Sequence, residues 1–391
     1  MKEKLKGVYN VGVNDKKIDL FEGMYNVPNG ITYNSYVAVD EKIAVFDTVD
    51  ARFGKEWLEN IDRILDGRQP DYLVVLHMEP DHSANILEFI KKYPEVKVVG
   101  NSKTFVMIKE FFGEDFDFST VEVKDGDKLS LGEREIHFVF APMVHWPEVM
   151  LAYDSFDKII FSADAFGKFG SDDCGEDWLD EARRYYFGIV GKFGVQVQNV
   201  LKKLSALDVE KIYPLHGPVL DSNLGYYIGK YDTWSKYDVE VKGVLIAYSS
   251  VYGHTARVAN ELAGMLLKLG VKEVEAVDLC RTDWAECVAK AFKNSATVLA
   301  TTTYNGDIFP TMREFLDKLK ERNFQNRIVG LIENGSWAPV AAKAMQKRLD
   351  GCKNLRFCEA QVKIRSALNA ESRAQLSALA DELASFVENN V

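Results

Sequence analysis

From Gly243 to the end of the chain one cadence repeats. Short apolar, β-branched runs (GVLIAYS, EVEAVDL, ATVLATTT, RIVGLIE and LRFCEAQVKI) alternate with stretches whose apolar residues recur at helical spacing. Helices are expected to begin near Thr255, Asp283, Thr311, Pro339 and Ala370. Five strands with intervening helices over about 150 residues specify a doubly wound parallel sheet, and that length suits the strand order 2-1-3-4-5.

The preceding 240 or so residues follow a different pattern. Strand-like stretches crowd together (ITYNSYVAV, EKIAVFDTV, YLVVL, VKVVG, REIHFVFAP, VMLAYDS and KIIFSAD), with helices expected at 54–66, 83–92, 102–112, 177–189 and 193–204. Sequence-adjacent strands with helices between the blocks suggest a layered α/β sandwich. The pattern changes after YDTWSKYDVEVKG, which places a boundary near Val241 and two domains at 1–241 and 242–391.

The net charge of −11 argues against nucleic acid and against anionic membranes as partners. No apolar run approaches the roughly 18 residues that span a bilayer. The opening MKEKLKGVYN has charge but no apolar segment, so no secretory signal is expected. Five scattered cysteines, none spaced CxxC, read as reduced thiols and point to the cytoplasm.

One loop carries unusual chemistry. LHMEPDHSAN follows the strand-like YLVVL and packs His77, Glu79, Asp81 and His82 into six residues. Further along, APMVHWPEVM offers His145, FSADAFG offers Asp164 and YPLHGPV offers His216, each after an apolar, strand-like stretch. Taken singly, such residues are turn formers, caps or core imidazoles. Together they take four of the six histidines in the chain and make a dinuclear metal site the economical reading. Carboxylates at 79, 81 and 164 add hard oxygen donors to the imidazoles, which suits iron better than zinc. A carboxylate can also bridge two ions and let them share one small substrate.

The C-terminal half offers a second constellation. In AYSSVYGHTARVANEL a strand gives way to a hydroxyl-rich turn and then to an amphipathic helix. Ser249, Ser250, Val251, Tyr252, Gly253, His254 and Thr255 form that turn, with hydroxyls and free helix N–H groups suited to a phosphate. His254 is expected to point to solvent. Two later loops at the same sheet edge, Thr303–Tyr304–Asn305–Gly306 and Asn334–Gly335–Ser336–Trp337, each carry one aromatic able to flank a flat ring.

The succession HxExDH, HWP, SADAFG and LHGP, followed by the hydroxyl-rich phosphate turn, resembles the flavodiiron proteins over almost the whole chain. The resemblance implies an N-terminal metallo-β-lactamase-like αββα sandwich and a flavodoxin-like five-stranded parallel sheet. It implies two non-haem iron ions: His77, Glu79 and His145 on one, Asp81 and His216 on the other, Asp164 bridging, and His82 on the second iron or just beside it. Glu79 stands where hydrolase relatives carry histidine. FMN is implied in the second domain, its phosphate on the 249–255 turn and its ring against the two later loops. The implied activity is reduction of O2 to water, of NO to N2O, or both, with electrons from a separate small redox protein such as a rubredoxin. The implied assembly is a head-to-tail homodimer or a dimer of dimers.

Two other readings compete: a binuclear zinc hydrolase with a fused regulatory flavodoxin domain, and an electron carrier with structural metals. Glu79 counts against the first. Three further features are given ordinary roles. His137 is read as a solvent-facing strand residue, Trp146 as packing around the metal loop, and SDDCGEDWLDEARRYY as a solvated helix with acids first and arginines last.

Overall fold

The computed structural model describes residues 6–113, 117–175 and 177–389, which form two compact units, 1–186 with 195–232 and 187–194 with 233–391.

The first unit is built on two sheets. One has six strands in the order Gly7–Asn10, Tyr36–Val39, Ile43–Phe46, Tyr72–Val74, Lys97–Gly100 and Thr120–Glu122. Its first two pairings are antiparallel and the rest parallel. The other runs Lys128–Ser130, Glu135–Phe140, Met150–Asp154, Ile159–Phe161 and Lys211–Tyr213, antiparallel except for the last pair. Central strands such as Ile43–Phe46 and Met150–Asp154 are buried at every residue, which is why they read as apolar runs; the one charged member, Asp154, is paired with Arg134. The sheets meet through rings: Phe46 stacks on Phe161 at 4.0 Å, and Tyr36 packs on Tyr213 at 5.0 Å.

Helices cover the outside. Gly54–Leu65 buries Trp57, Ile61 and Leu65 at helical spacing and ends where Asp66 takes a left-handed conformation, φ 47°. Ser102–Phe112 is capped by Asn101, whose side chain accepts from the backbone N–H groups of Lys103 and Thr104. The αββα sandwich expected from the sequence is the architecture of this unit.

Three elements depart from expectation. The helix expected at 83–92 comes as a single turn, Pro80–Ser83, followed by Ile86–Lys92, because Pro80 starts the turn at the ligand loop itself. The acidic-to-basic run is not a solvated helix. Its helical part, Trp178–Tyr185, buries Trp178, Ala182 and Tyr185. The buried Arg184 lies 4.4 Å over the Phe169 ring and pairs with Glu181, so its charge is covered rather than solvated; Glu176 of the same run lies outside the described residues. A helix over Leu224–Ser235 has no counterpart in the sequence reading.

In the second unit five parallel strands stand in the order Glu273–Asp278, Val241–Tyr248, Asn294–Tyr304, Ile328–Asn334 and Arg356–Ile364. Numbered along the chain this is 2-1-3-4-5, as the cadence predicts. Helices start at His254, Trp284, Pro310, Ala341 and Ala370, each within two residues of expectation. A short antiparallel strand, Asp307–Ile308, turns back on the end of Asn294–Tyr304. No helix among the described residues is long and apolar enough to cross a membrane.

Candidate metal centre and flavin cleft

Four loops at the ends of strands bring the seven candidate ligands together. The first follows Tyr72–Val74. Asp47 Oδ1 accepts the backbone N–H groups of Leu76 at 2.8 Å and His77 at 3.2 Å, which fixes the loop where it leaves the strand. Thr48 holds its far end, donating N–H and Oγ1–H to the His82 carbonyl at 2.7 and 2.9 Å. The loop bearing Asp164 is closed by Ser162 Oγ donating to the Ala165 carbonyl at 2.7 Å. Phe166 N donates to the Tyr231 hydroxyl at 2.6 Å, which gives the helix Leu224–Ser235 a part in shaping the site. His216 is oriented by its Nδ1, 2.6 Å from the Thr32 carbonyl. Gly217, next in sequence, has φ +80°, and a Cβ there would meet the Lys168 stem at 2.8 Å, so only glycine fits.

The side chains converge in two groups, His77 with Glu79, His145 and Asp164, and Asp81 with His82 and His216. In the first, His145 Nε2 stands 3.0 Å from both Glu79 Oε2 and Asp164 Oδ2, and His77 Nε2 stands 3.3 Å from Glu79 Oε2 and from His145 Nε2. In the second, the Nε2 atoms of His82 and His216 are 3.0 Å apart and each is 3.3 Å from Asp81 Oδ2. Asp164 divides its oxygens. Oδ2 faces the first group, and Oδ1 lies 3.3 Å from His82 and 3.8 Å from His216.

These spacings fit two metal ions. Two donors each about 2.1 Å from one ion and at right angles stand about 3 Å apart. Both oxygens of Asp81 and Oδ1 of Asp164 are buried and accept no hydrogen bond among the described residues. Buried carboxylate oxygens without partners are costly unless a cation answers them. Each group supplies two imidazoles and one carboxylate of its own, the donor set of non-haem iron.

The electrostatics point the same way. Burial works to raise Glu79, but His145 and His77 outweigh it and hold its carboxyl well below the usual range. Asp164 is likewise held low against its burial, by His77, His145 and His82. Burial lowers the His145 imidazole, yet its contacts with Asp164 and Glu79 push it up to about 9. The carboxylates therefore stay ionised and draw cations, whether protons or metal ions, into the site.

Aromatic rings wall the second group. Phe21, Tyr185 and Tyr33 pack on His216 at 5.4, 5.5 and 6.0 Å. The Tyr185 hydroxyl is buried and has no hydrogen-bond partner among the described residues. Trp146 meets the His77 ring edge-on at 5.3 Å and so packs as the sequence suggested. His137 is half-buried on its strand and pairs with Glu135 at 2.8 Å instead of facing open solvent. Sequence reading passed over Glu148, whose Oε1 accepts from His77 Nδ1 and from Met78 N, both at 2.9 Å. Its one sequence signal was an acid three residues after His145.

The second unit carries a cleft of about 120 Å³ at the carboxyl edge of its sheet. Ser250, Val251, Tyr252, His254, Thr255, Asn334, Gly335 and Ser336 line it, together with Thr302 and Ser366, which the sequence reading did not single out. His254 thus lines the cleft instead of standing clear of it. The Ser249 hydroxyl turns to Thr311 Oγ1 at 3.0 Å, and Thr303 Oγ1 accepts from Val340 N at 2.9 Å. Asn334 ties the loops together through Thr255 at 3.3 Å and through the backbone of Ser366. Tyr304 and Trp337 are exposed, Trp337 at 83%. Gly253 at φ +85° precedes the helix His254–Lys268, whose free N–H groups open beside the cleft. Hydroxyls, amides and a helix N-terminus around a small cleft suit the phosphate of a nucleotide.

Residues 31–217 match the family described as ODP family beta lactamase. The chain is 30% identical over 357 residues to a nitric oxide reductase of Moorella thermoacetica, covering 89% of each chain. It superposes on the rubredoxin oxygen:oxidoreductase of Desulfovibrio gigas with a TM-score of 0.90 and 26% identity, over 98% of this chain and 97% of that one. With the flavodiiron protein of Giardia intestinalis the TM-score is 0.91 and the identity 25%, with the same coverage.

Proposed function

The chain belongs to the flavodiiron proteins, and from that premise we propose that it is an oxidoreductase reducing O2 to water, NO to N2O, or both. The observation that carries this reading is the division of Asp164 between two groups that each hold two imidazoles and a carboxylate. We assign His77, Glu79 and His145 to one iron, Asp81, His82 and His216 to the other, and Asp164 to both. His82 is included because its Nε2 stands at ligand spacing from His216. We assign the FMN phosphate to the 249–255 turn and the ring to Thr303–Gly306 and Asn334–Trp337, with metal chemistry in 1–241 and flavin chemistry in 242–391.

When bound, two ferrous ions and a reduced FMN would supply four electrons, enough for O2 to two waters, and the irons alone would supply the two needed for a pair of NO molecules. The protein supplies orientation and exclusion. The carboxylates of Glu79 and Asp81 balance cationic charge on either side of the shared Asp164. Phe21, Tyr33 and Tyr185 pack on His216 and would keep bulk water from the second group, and the buried Tyr185 hydroxyl has no hydrogen-bond partner among the described residues. In the other unit, the hydroxyls and amides of the 249–255 turn and Asn334, with the N–H groups that open the helix His254–Lys268, would hold the phosphate.

The hydrolase reading is not favoured: a carboxylate at Glu79 suits iron, and the relatives carry names of redox enzymes. Electrons come from a separate redox donor, for which we propose a small rubredoxin-like protein. We propose a cytoplasmic setting because the five scattered cysteines, none spaced CxxC, read as reduced thiols. We further propose a head-to-tail homodimer, or a dimer of such dimers, because a two-fold axis would pair the metal unit of one protomer with the flavin unit of its partner.

Purified protein should hold two iron ions and one FMN per chain, and the reduced enzyme should consume O2, NO or both under anaerobic mixing. Active protein without iron, or iron-loaded protein inert to both gases, would overturn the reading.

A further inference from the structure

The two metal positions match in their direct donors but not in what stands behind them. Resting on the ligand assignment above, we propose that Glu148 makes the position bounded by His77, Glu79 and His145 the tighter of the two, so that a half-loaded chain holds its ion there.

The argument starts from the imidazole nitrogens that face away from the site. His77 Nδ1 is 2.9 Å from Glu148 Oε1, and the same oxygen accepts the Met78 N–H at 2.9 Å. Glu148 is 1% exposed, and its own carbonyl accepts from Asn101 Nδ2 at 2.6 Å. Asn101 is the cap of the helix Ser102–Phe112, so the backbone that carries the carboxylate is tied to the frame of the sandwich. On the other side, His216 Nδ1 meets a neutral group, the Thr32 carbonyl at 2.6 Å. His82 Nδ1 is buried with no hydrogen-bond partner among the described residues.

A carboxylate behind an imidazole holds its proton on the outer nitrogen and makes the inner one a stronger donor; a carbonyl orients the ring without adding charge. Buried away from bulk water, that extra negative charge is screened less than it would be at the surface and would favour a cation held by the inner nitrogen. The Asp47 carboxylate, also on this side, accepts among the described residues from the backbone N–H groups of Leu76 and His77 and is bonded to no imidazole nitrogen. Glu148 is therefore a positioning residue for one ion, and among the described residues no carboxylate stands behind His82 or His216 in the same way.

The test is an anaerobic cobalt(II) titration of the metal-stripped, FMN-loaded, full-length protein against a competing chelator, followed by cobalt absorption. Two ions per chain should enter in steps separated by about tenfold or more. His145→Ala should abolish the tighter step and His216→Ala the weaker one. Glu148→Gln keeps the shape and an acceptor oxygen for both N–H groups but removes the charge. It should weaken the tighter step by about 10- to 100-fold and leave the other unchanged, while Glu148→Asp should recover part of the loss. Should Glu148→Gln fail to fold, wild-type crystals with one equivalent of cobalt decide by anomalous scattering, which should place the ion between His77 and His145. Equal steps, an ion found first between His82 and His216, or a Glu148→Gln change that weakens both steps alike would each overturn the inference. Uptake of fewer than two ions by the wild type would instead sink the dinuclear reading on which it rests.

Discussion

At the scale of single residues, Glu79 and the cysteines give two tests. Glu79 supplies the oxygen that separates this site from an all-imidazole one. Replacing it with histidine should shift bound metal from iron toward zinc and lower gas reduction at least about tenfold, with FMN content unchanged. Metal analysis and flavin absorbance check this, and undiminished turnover would remove Glu79 from the ligand set. The thiols of Cys287 and Cys358 are buried, and burial pushes each up to about 12. An unfolded thiol ionises near about 8.5. Between those values the folded chain binds more protons than the unfolded one, so this contribution to stability is whole below about 8.5 and declines as pH rises toward 12. In native protein near neutral pH, alkylation read by mass spectrometry should modify the exposed Cys280 and spare Cys287 and Cys358. Equal labelling of all three would contradict the packing. The residues proposed as metal ligands stood out because four of them share one loop and the rest sit in short, distinctive strings. Glu148 was not, because it meets His77 only when the chain closes a gap of 71 residues.

At the scale of elements, periodicity did most of the work. Helices with a clean apolar face, such as Gly54–Leu65 and Trp284–Lys293, start where the pattern says. Leu224–Ser235 was missed because Gly225 and Gly229 lower helix propensity and its aromatics leave no clear polar face. The turn at Asn305–Gly306 is better determined. Both residues have positive φ, 51° and 74°, and they join two paired antiparallel segments as an Asn-Gly hairpin. A Cβ on Gly306 would meet nothing within 4 Å, so Gly306→Ala tests backbone conformation alone. It should cost about 1 kcal/mol of stability and weaken FMN binding, with metal content unaffected. Flavin fluorescence titration and a thermal melt measure both, and unchanged FMN affinity would remove this turn from the flavin site.

At the scale of the whole molecule, the proposed division of labour predicts complementation. A chain disabled at Asp164 and His216 keeps its flavin loops; a chain disabled at Thr255 and Asn334 keeps its metal loops. Co-expressed and purified as a heterodimer, the pair should regain one working junction and measurable gas reduction. Verified heterodimers that remain inert, beside an active wild type, would place the electron path within one chain and set the head-to-tail arrangement aside.

The sequence alone determined the donor types, the strand-and-helix cadence and the family, because each of these is written in residues close together along the chain. Spacing along a loop selects imidazole and carboxylate chemistry, and periodicity selects helix or strand, with no knowledge of distant partners. Only the tertiary structure decided direction. It turned His82 into the second group, split the oxygens of Asp164 between two positions, put a carboxylate behind His77 and a carbonyl behind His216, and buried the arginines of an expected solvated helix. Coordination and hydrogen bonding depend on angles and on a few tenths of an ångström, and those are set when segments up to 184 residues apart, such as Thr32 and His216, are packed against each other.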